Sequence, residues 1–136
     1  MKTAVDSSVL LDVLGADPSF GSRSREALRA AYDAGALVAC DVVWAEVRAH
    51  FPSDAEFGEA LGLLGIMFDP VSAKAAADAG QRWAASRRAA GRRDRVVADF
   101  LIGSHAALQA EALVTRDRGF FRQAFRDLRV IDPTAH

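Results

Sequence analysis

An α/β fold built on a short parallel sheet, with helices on both faces, is what this sequence predicts. Three observations carry that expectation. Apolar runs of only four or five residues recur along the chain, and stretches of helical periodicity separate them. Each run ends at a polar or acidic residue. No repeat or long linker interrupts the alternation, the pattern of a sheet crossed over by helices. Four to five strands are expected, in one domain spanning residues 1–136.

The first run, Lys2 to Val5, stops at Asp6. Val9, Leu10, Leu11, Val13 and Leu14 then form a short buried helix ended by Gly15. Asp17-Pro18-Ser19 is a turn. A helix from about Arg23 to Ala34 places Ala27, Leu28, Ala31 and Tyr32 on one apolar stripe. Ala36 to Cys40 is the second strand, and Asp41 is placed to cap the helix carrying Glu46. After Pro52, a helix capped by Ser53 or Asp54 sets Phe57, Ala60, Leu61 and Leu64 at i, i+3, i+4 and i+7. Ile66 to Phe68 is a third strand.

An alanine-rich helix runs from about Ser72 to Ala90 into an arginine-rich stretch. Val96 to Ala110 forms the next helix, with Asp99 near its start. Ala112 to Thr115 is the fourth strand, Arg116-Asp117-Arg118-Gly119 a polar turn, and Leu128 to Ile131 the last strand.

Composition narrows the function. Hydrophobic residues make up 51% and charged residues 26%, a soluble globular profile. No apolar run approaches the roughly 18 residues that span a bilayer. The single cysteine, Cys40, allows no internal disulfide and no Cys-based zinc site, and suits a reducing cytoplasm. Net charge is −1, yet Arg82, Arg87, Arg88, Arg92, Arg93 and Arg95 cluster, and Arg116 to Arg129 form a second group. Arginine suits bidentate phosphate contacts, although any one of these can equally be a solvated helical face.

Four acids stand where chemistry would. In a parallel sheet, ligands bind beyond the carboxyl ends of the strands. Asp6 ends the first strand and Asp117 follows the fourth. Glu46 lies early in the helix after the second strand, and Asp99 starts the helix feeding the fourth. Singly, each has a structural alternative: Asp6 and Asp117 as caps, Glu46 as an exposed helix acid. Together they form an oxygen donor set suited to Mg²⁺ or Mn²⁺. Two carboxylates about 5 Å apart repel by roughly 3 kcal/mol at an effective dielectric near 20, so such a cluster favours a bound cation. Gly103, at i+4 from Asp99, is expected to clear space beside that carboxylate. His105 lies about 240° around the helix from Asp99 and reads as structural. Asp41 lies near enough to the rim to be weighed as a fifth acid, while Asp12 should point elsewhere. Trp44 and Trp83 read as core.

The pieces Val5-Asp6-Ser7-Ser8-Val9-Leu10-Leu11-Asp12, Glu46, Ala98-Asp99-Phe100-Leu101-Ile102-Gly103 and Leu113-Val114-Thr115-Arg116-Asp117-Arg118-Gly119-Phe120-Phe121 resemble, in order and spacing, the PIN domain, and within it the VapC-type toxins of bacterial toxin–antitoxin pairs. That resemblance implies a metal-dependent endoribonuclease with Asp6, Glu46, Asp99 and Asp117 on Mg²⁺ or Mn²⁺, supported by Ser8 and Thr115. It also implies a cytoplasmic homodimer inhibited by a small antitoxin. Arg87, Arg88, Arg92, Arg93 and Arg116 are the candidate contacts to the RNA backbone. Two other classes fit less well. A phosphoacceptor receiver domain needs an acid pair after the first strand and a late lysine, but Lys2 and Lys74 are the only lysines. A non-catalytic module acting as a co-repressor with a DNA-binding partner is the alternative that metal-dependent cleavage would exclude.

Overall fold

The computed structural model describes residues 1–90 and 96–134. Its strands are β1 (Lys2–Val5), β2 (Ala36–Ala39), β3 (Ile66–Phe68), β4 (Ala112–Val114) and β5 (Arg129–Ile131). Its helices are α1 (Ser7–Leu14), α2 (Gly21–Ala34), α3 (Asp41–Arg48), α4 (Asp54–Leu63), α5 (Ala73–Ala90), α6 (Val97–Gln109) and α7 (Arg118–Ala124). The five strands form one sheet in the order β3-β2-β1-β4-β5, and every pairing is parallel.

Helices cover both faces of the central strands, so these read as unbroken apolar runs rather than alternating ones. Ala112, Leu113 and Val114 of β4 are fully buried, as are Ala4 and Val5 of β1. Val9 and Leu10 of α1, Val43 and Val47 of α3, Phe100 and Ala106 of α6, and Phe121 and Phe125 complete one core. The edge strand β3 leaves Met67 and Phe68 exposed.

This order places the topological switch between β1 and β4. From β1 the chain builds outward through β2 to β3, then returns to the other side through β4 and β5. The segments leaving β1 and β4 therefore diverge and leave a crevice at the carboxyl ends of the two strands.

Several local expectations need correcting. Arg116 to Gly119 is not simply a turn: Arg118 opens the helix α7, whose Phe121 is buried. Tyr32 is not on the buried stripe of α2. It is exposed, and its ring lies over Gly65, where φ is +72° and an added Cβ would clash with it. Asp41 does not cap α3. Cys40 holds the cap position, while Asp41 accepts from the Val71 backbone N–H at 3.2 Å and pins the loop after β3.

His105 is structural, as its helix position indicated: it is buried, with Nε2 at 2.8 Å from Asp69 Oδ2. Trp44 packs edge-on against Phe57 and Phe68, and Trp83 packs against the core.

Candidate active site

The switch-point crevice is a cleft of about 380 Å³ whose lining includes Asp6, Glu46, Asp99 and Asp117. Four segments far apart in sequence supply them. Asp6 is the residue after β1, and its backbone N–H continues the sheet by donating to Val114 O at 2.9 Å. Asp117 stands at the start of α7 without capping it through its side chain. Asp99 lies in the first turn of α6, where the helix dipole favours an acid. Glu46 projects from the exposed face of α3.

Asp6 is the centre of the arrangement. Its Oδ1 accepts from the Ser7 backbone N–H at 2.8 Å and so caps α1. Its Oδ2 accepts from Thr115 Oγ1 at 2.6 Å and from Ser8 Oγ at 3.3 Å. The capping role and a place in the cleft, weighed as alternatives from sequence, coexist in one residue. Thr115 is fully buried and also accepts from the Asp117 backbone N–H at 3.0 Å, which ties the ends of β1 and β4 together. Burial raises the Asp6 carboxyl above its ordinary value. The hydrogen bonds from Thr115, Ser7 and Ser8 oppose that rise, and the charge of Asp117 adds to it.

Ser7 is a residue that the sequence reading did not single out. Its Oγ donates to Glu46 Oε1 at 2.9 Å and lies 3.5 Å from Asp6 Oδ1, so it joins the acid of α3 to the acid of β1. Nothing local marks it, because its partner is 39 positions away.

Other expected members stand elsewhere. Gly103 does not open space for a ligand: a Cβ there would run into the Phe125 ring, so the glycine accommodates core packing. Asp41 is outside the cleft lining. Among the arginines, Arg82 is committed to structure, with Nε donating to Asp78 Oδ2 and Nη1 to Ala124 O, both at 2.8 Å, over the Phe125 ring. Arg87 stacks on Trp83, and both Arg87 and Arg88 are exposed and outside the cleft lining. Arg92, Arg93 and Arg95 lie outside the described residues. Arg116 does line the cleft, held there by Asp12.

Among the described residues, no group of three or more His, Cys, Asp or Glu is placed so that it could hold a metal ion. The chemistry of the cleft's donors, rather than their arrangement, suits a hard divalent ion. They are all oxygens, and magnesium takes one or two carboxylates while keeping several waters, which an open cleft allows. Asp6 is a buried acid beside a second acid, a charge arrangement that a cation would relieve.

The family model of the PIN domain matches residues 3–126. The chain belongs to the PIN domain family. Solved PIN-like structures share its fold. VapBC2 from Rickettsia felis bound to a DNA fragment from its promoter aligns with a TM-score of 0.74 at 17% identity, covering 97% of this chain and 98% of that one. VapBC-1 from nontypeable Haemophilus influenzae aligns at 0.72 and 21% identity, covering 99% and 100%. A toxin–antitoxin complex from Klebsiella pneumoniae aligns at 0.65 and 18% identity, covering 98% and 99%. No curated protein matches the sequence. In this PIN domain the cleft with its acids lies at the carboxyl edge, between the segments that leave β1 and β4.

Proposed function

We propose that this PIN domain, residues 1–136 as one unit, is a metal-dependent endoribonuclease and the toxin of a type II toxin–antitoxin pair. The observation that carries this reading is the lining of one cleft by Asp6, Glu46, Asp99 and Asp117 from four separate segments. Family membership supports a nuclease, and the likeness to toxin–antitoxin complexes supports the toxin role. RNA rather than DNA as substrate rests on the resemblance to VapC-type toxins.

Asp6, Asp99 and Asp117 would hold Mg²⁺ or Mn²⁺, with Glu46 acting through water. A bound divalent ion supplies a more acidic water and neutralises charge on the phosphate. The chain's own groups do the positioning. Thr115 and Ser8 orient Asp6, and Ser7 holds Glu46 toward the same side of the cleft. A water oxygen forms the new bond to phosphorus, in line with the P–O3′ bond that breaks. The 3′ oxygen leaves with a proton, giving a 5′-phosphate and a 3′-hydroxyl. The protein acts in the cytoplasm as a homodimer, and a small antitoxin inhibits it by occupying the cleft.

The test is RNA cleavage by purified protein across a Mg²⁺ and Mn²⁺ titration, beside Asp6→Asn and Asp99→Asn. Metal-dependent cleavage lost in both variants, with 5′-phosphate ends, is the expected result. A 2′,3′-cyclic phosphate product, or cleavage retained in the variants, overturns it. The promoter DNA in the Rickettsia felis complex favours a second role, as co-repressor with a DNA-binding antitoxin. A chain with that role alone shows no metal-dependent cleavage.

A further inference from the structure

Asp12 and Arg116 are 104 positions apart, and the sequence gives no sign that they meet. In the fold, Arg116 Nε donates to Asp12 Oδ2 at 2.6 Å and Nη2 donates to Asp12 Oδ1 at 3.1 Å. Asp12 is 4% exposed and also accepts from the buried Ser24 Oγ at 3.0 Å, so its own position is fixed. The Phe20 ring lies against the guanidinium, 4.2 Å from Cζ to centroid. One edge of the guanidinium is thus gripped and one face is stacked. The opposite edge, with Nη1, makes no hydrogen bond to any described residue, and the side chain remains 31% exposed where it lines the acid cleft.

From this geometry we infer that Arg116 is the phosphate-binding group of the cleft and that Asp12 is a positioning residue that aims it. The inference rests on the nuclease reading and adds a specific substrate contact to it. A cleft lined by four acids repels a polyanion. Among the described residues that line it, Arg116 is the one basic side chain. A guanidinium donates bidentately to phosphate, and pre-fixing its edge and face removes most of the rotamer entropy that a long side chain otherwise loses on binding. Donors fixed in advance around a reacting phosphoryl group stabilise charge with little reorganisation. A surface ion pair formed only for stability has no need of a bidentate grip on a nearly buried carboxylate at the rim of the acid cleft.

The test uses the full chain and a single-stranded RNA oligonucleotide. Binding is measured by fluorescence anisotropy in EDTA at several salt concentrations, and cleavage is measured in Mg²⁺. Arg116→Ala should lower kcat/KM about 100-fold. It should also reduce the slope of log Kd against log salt by about 0.7, one phosphate contact on a single strand. Arg116→Lys should restore the slope but not kcat, because charge returns without the fork. Asp12→Asn should keep the salt slope and KM while kcat falls about tenfold, the mark of an arginine still present but no longer aimed. A variant that is merely misfolded lowers active fraction without moving the slope. An unchanged salt slope in Arg116→Ala at full active fraction, or full kcat in Arg116→Lys, overturns the inference. Absence of cleavage by the wild type would instead refute the nuclease reading, and the binding slopes would still decide whether Arg116 contacts phosphate.

Discussion

Thr115 Oγ1 donates to Asp6 Oδ2 at 2.6 Å, across 109 residues of sequence, and this bond closes the switch-point crevice between β1 and β4. It is the foremost of the hydrogen bonds that oppose, without cancelling, the rise that burial imposes on this carboxyl. Thr115→Val removes the donor while keeping the shape. The buried Asp6 then loses compensation, its charged form is disfavoured further, and its affinity for a cation falls. On the proposed function, the Mg²⁺ concentration giving half-maximal cleavage should rise about tenfold. Thr115→Ser should stay within about twofold of wild type. A Mg²⁺ titration of RNA cleavage reads both.

Asp6 itself should show a conflict between stability and function. Its carboxyl is raised in the fold, so the folded chain holds that proton more tightly than the unfolded chain does. The resulting stability is present in acid and is lost as pH rises through the folded value, so above that value the ionised group is a burden. Asp6→Asn keeps the cap on α1 and leaves Thr115 a partner, but removes the buried charge. In EDTA at neutral pH its Tm should lie above that of wild type, while metal-dependent cleavage is lost. Differential scanning fluorimetry with and without Mg²⁺ checks this: the ion should raise the wild-type Tm and leave that of the variant nearly unmoved.

Strand ends and helix starts were legible in the sequence, because short apolar runs and their polar stops are local signals. Asp6, Glu46, Asp99 and Asp117 could therefore be assigned to one rim without knowledge of strand order. What depended on distant packing was not legible. Helical geometry put Gly103 on the face of Asp99, but could not show that the Phe125 ring fills the space above it. Arg-Asp-Arg-Gly has turn composition, yet the apolar Phe120 and Phe121 that follow draw Arg118 into α7 by packing against the core. The pairing of Arg116 with Asp12 and of Ser7 with Glu46 required the strand order that brings α1, α3 and the end of β4 together.

Gly103→Ala follows from that correction. A methyl at 103 meets the ring of Phe125, which is buried at 1% exposure and has little freedom to move. Overpacking of this kind costs about 1–3 kcal/mol. It outweighs the roughly 1 kcal/mol of helix propensity gained on replacing glycine by alanine. Gly58→Ala in α4 gains the same propensity with nothing within 4 Å of the added Cβ. Urea unfolding should therefore place Gly103→Ala below wild type and Gly58→Ala above it. A Gly103→Ala protein as stable as wild type would show that the Phe125 ring yields readily.

The contact between His105 and Asp69 gives the fold an acid-sensitive tie. Asp69 Oδ2 lies 2.8 Å from His105 Nε2 and 3.3 Å from Lys2 Nζ, joining α6 and β1 to the end of β3. Desolvation acts to raise the Asp69 carboxyl, but the hydrogen bonds and charges of His105 and Lys2 outweigh it and hold it below its ordinary value. A carboxyl lowered in the fold contributes stability that is fully present above its unfolded value, about 3.9, and is lost as pH falls through the folded value. Urea midpoints measured from about pH 6 to about pH 3 should fall toward acid, and Asp69→Asn should flatten that fall. Because Asp69 lies outside the acid cleft, cleavage per folded molecule at neutral pH should be unchanged in this variant. An Asp69→Asn protein with the full wild-type acid dependence would assign that dependence to other carboxylates, Asp78 and Asp132 first, since both are also held low.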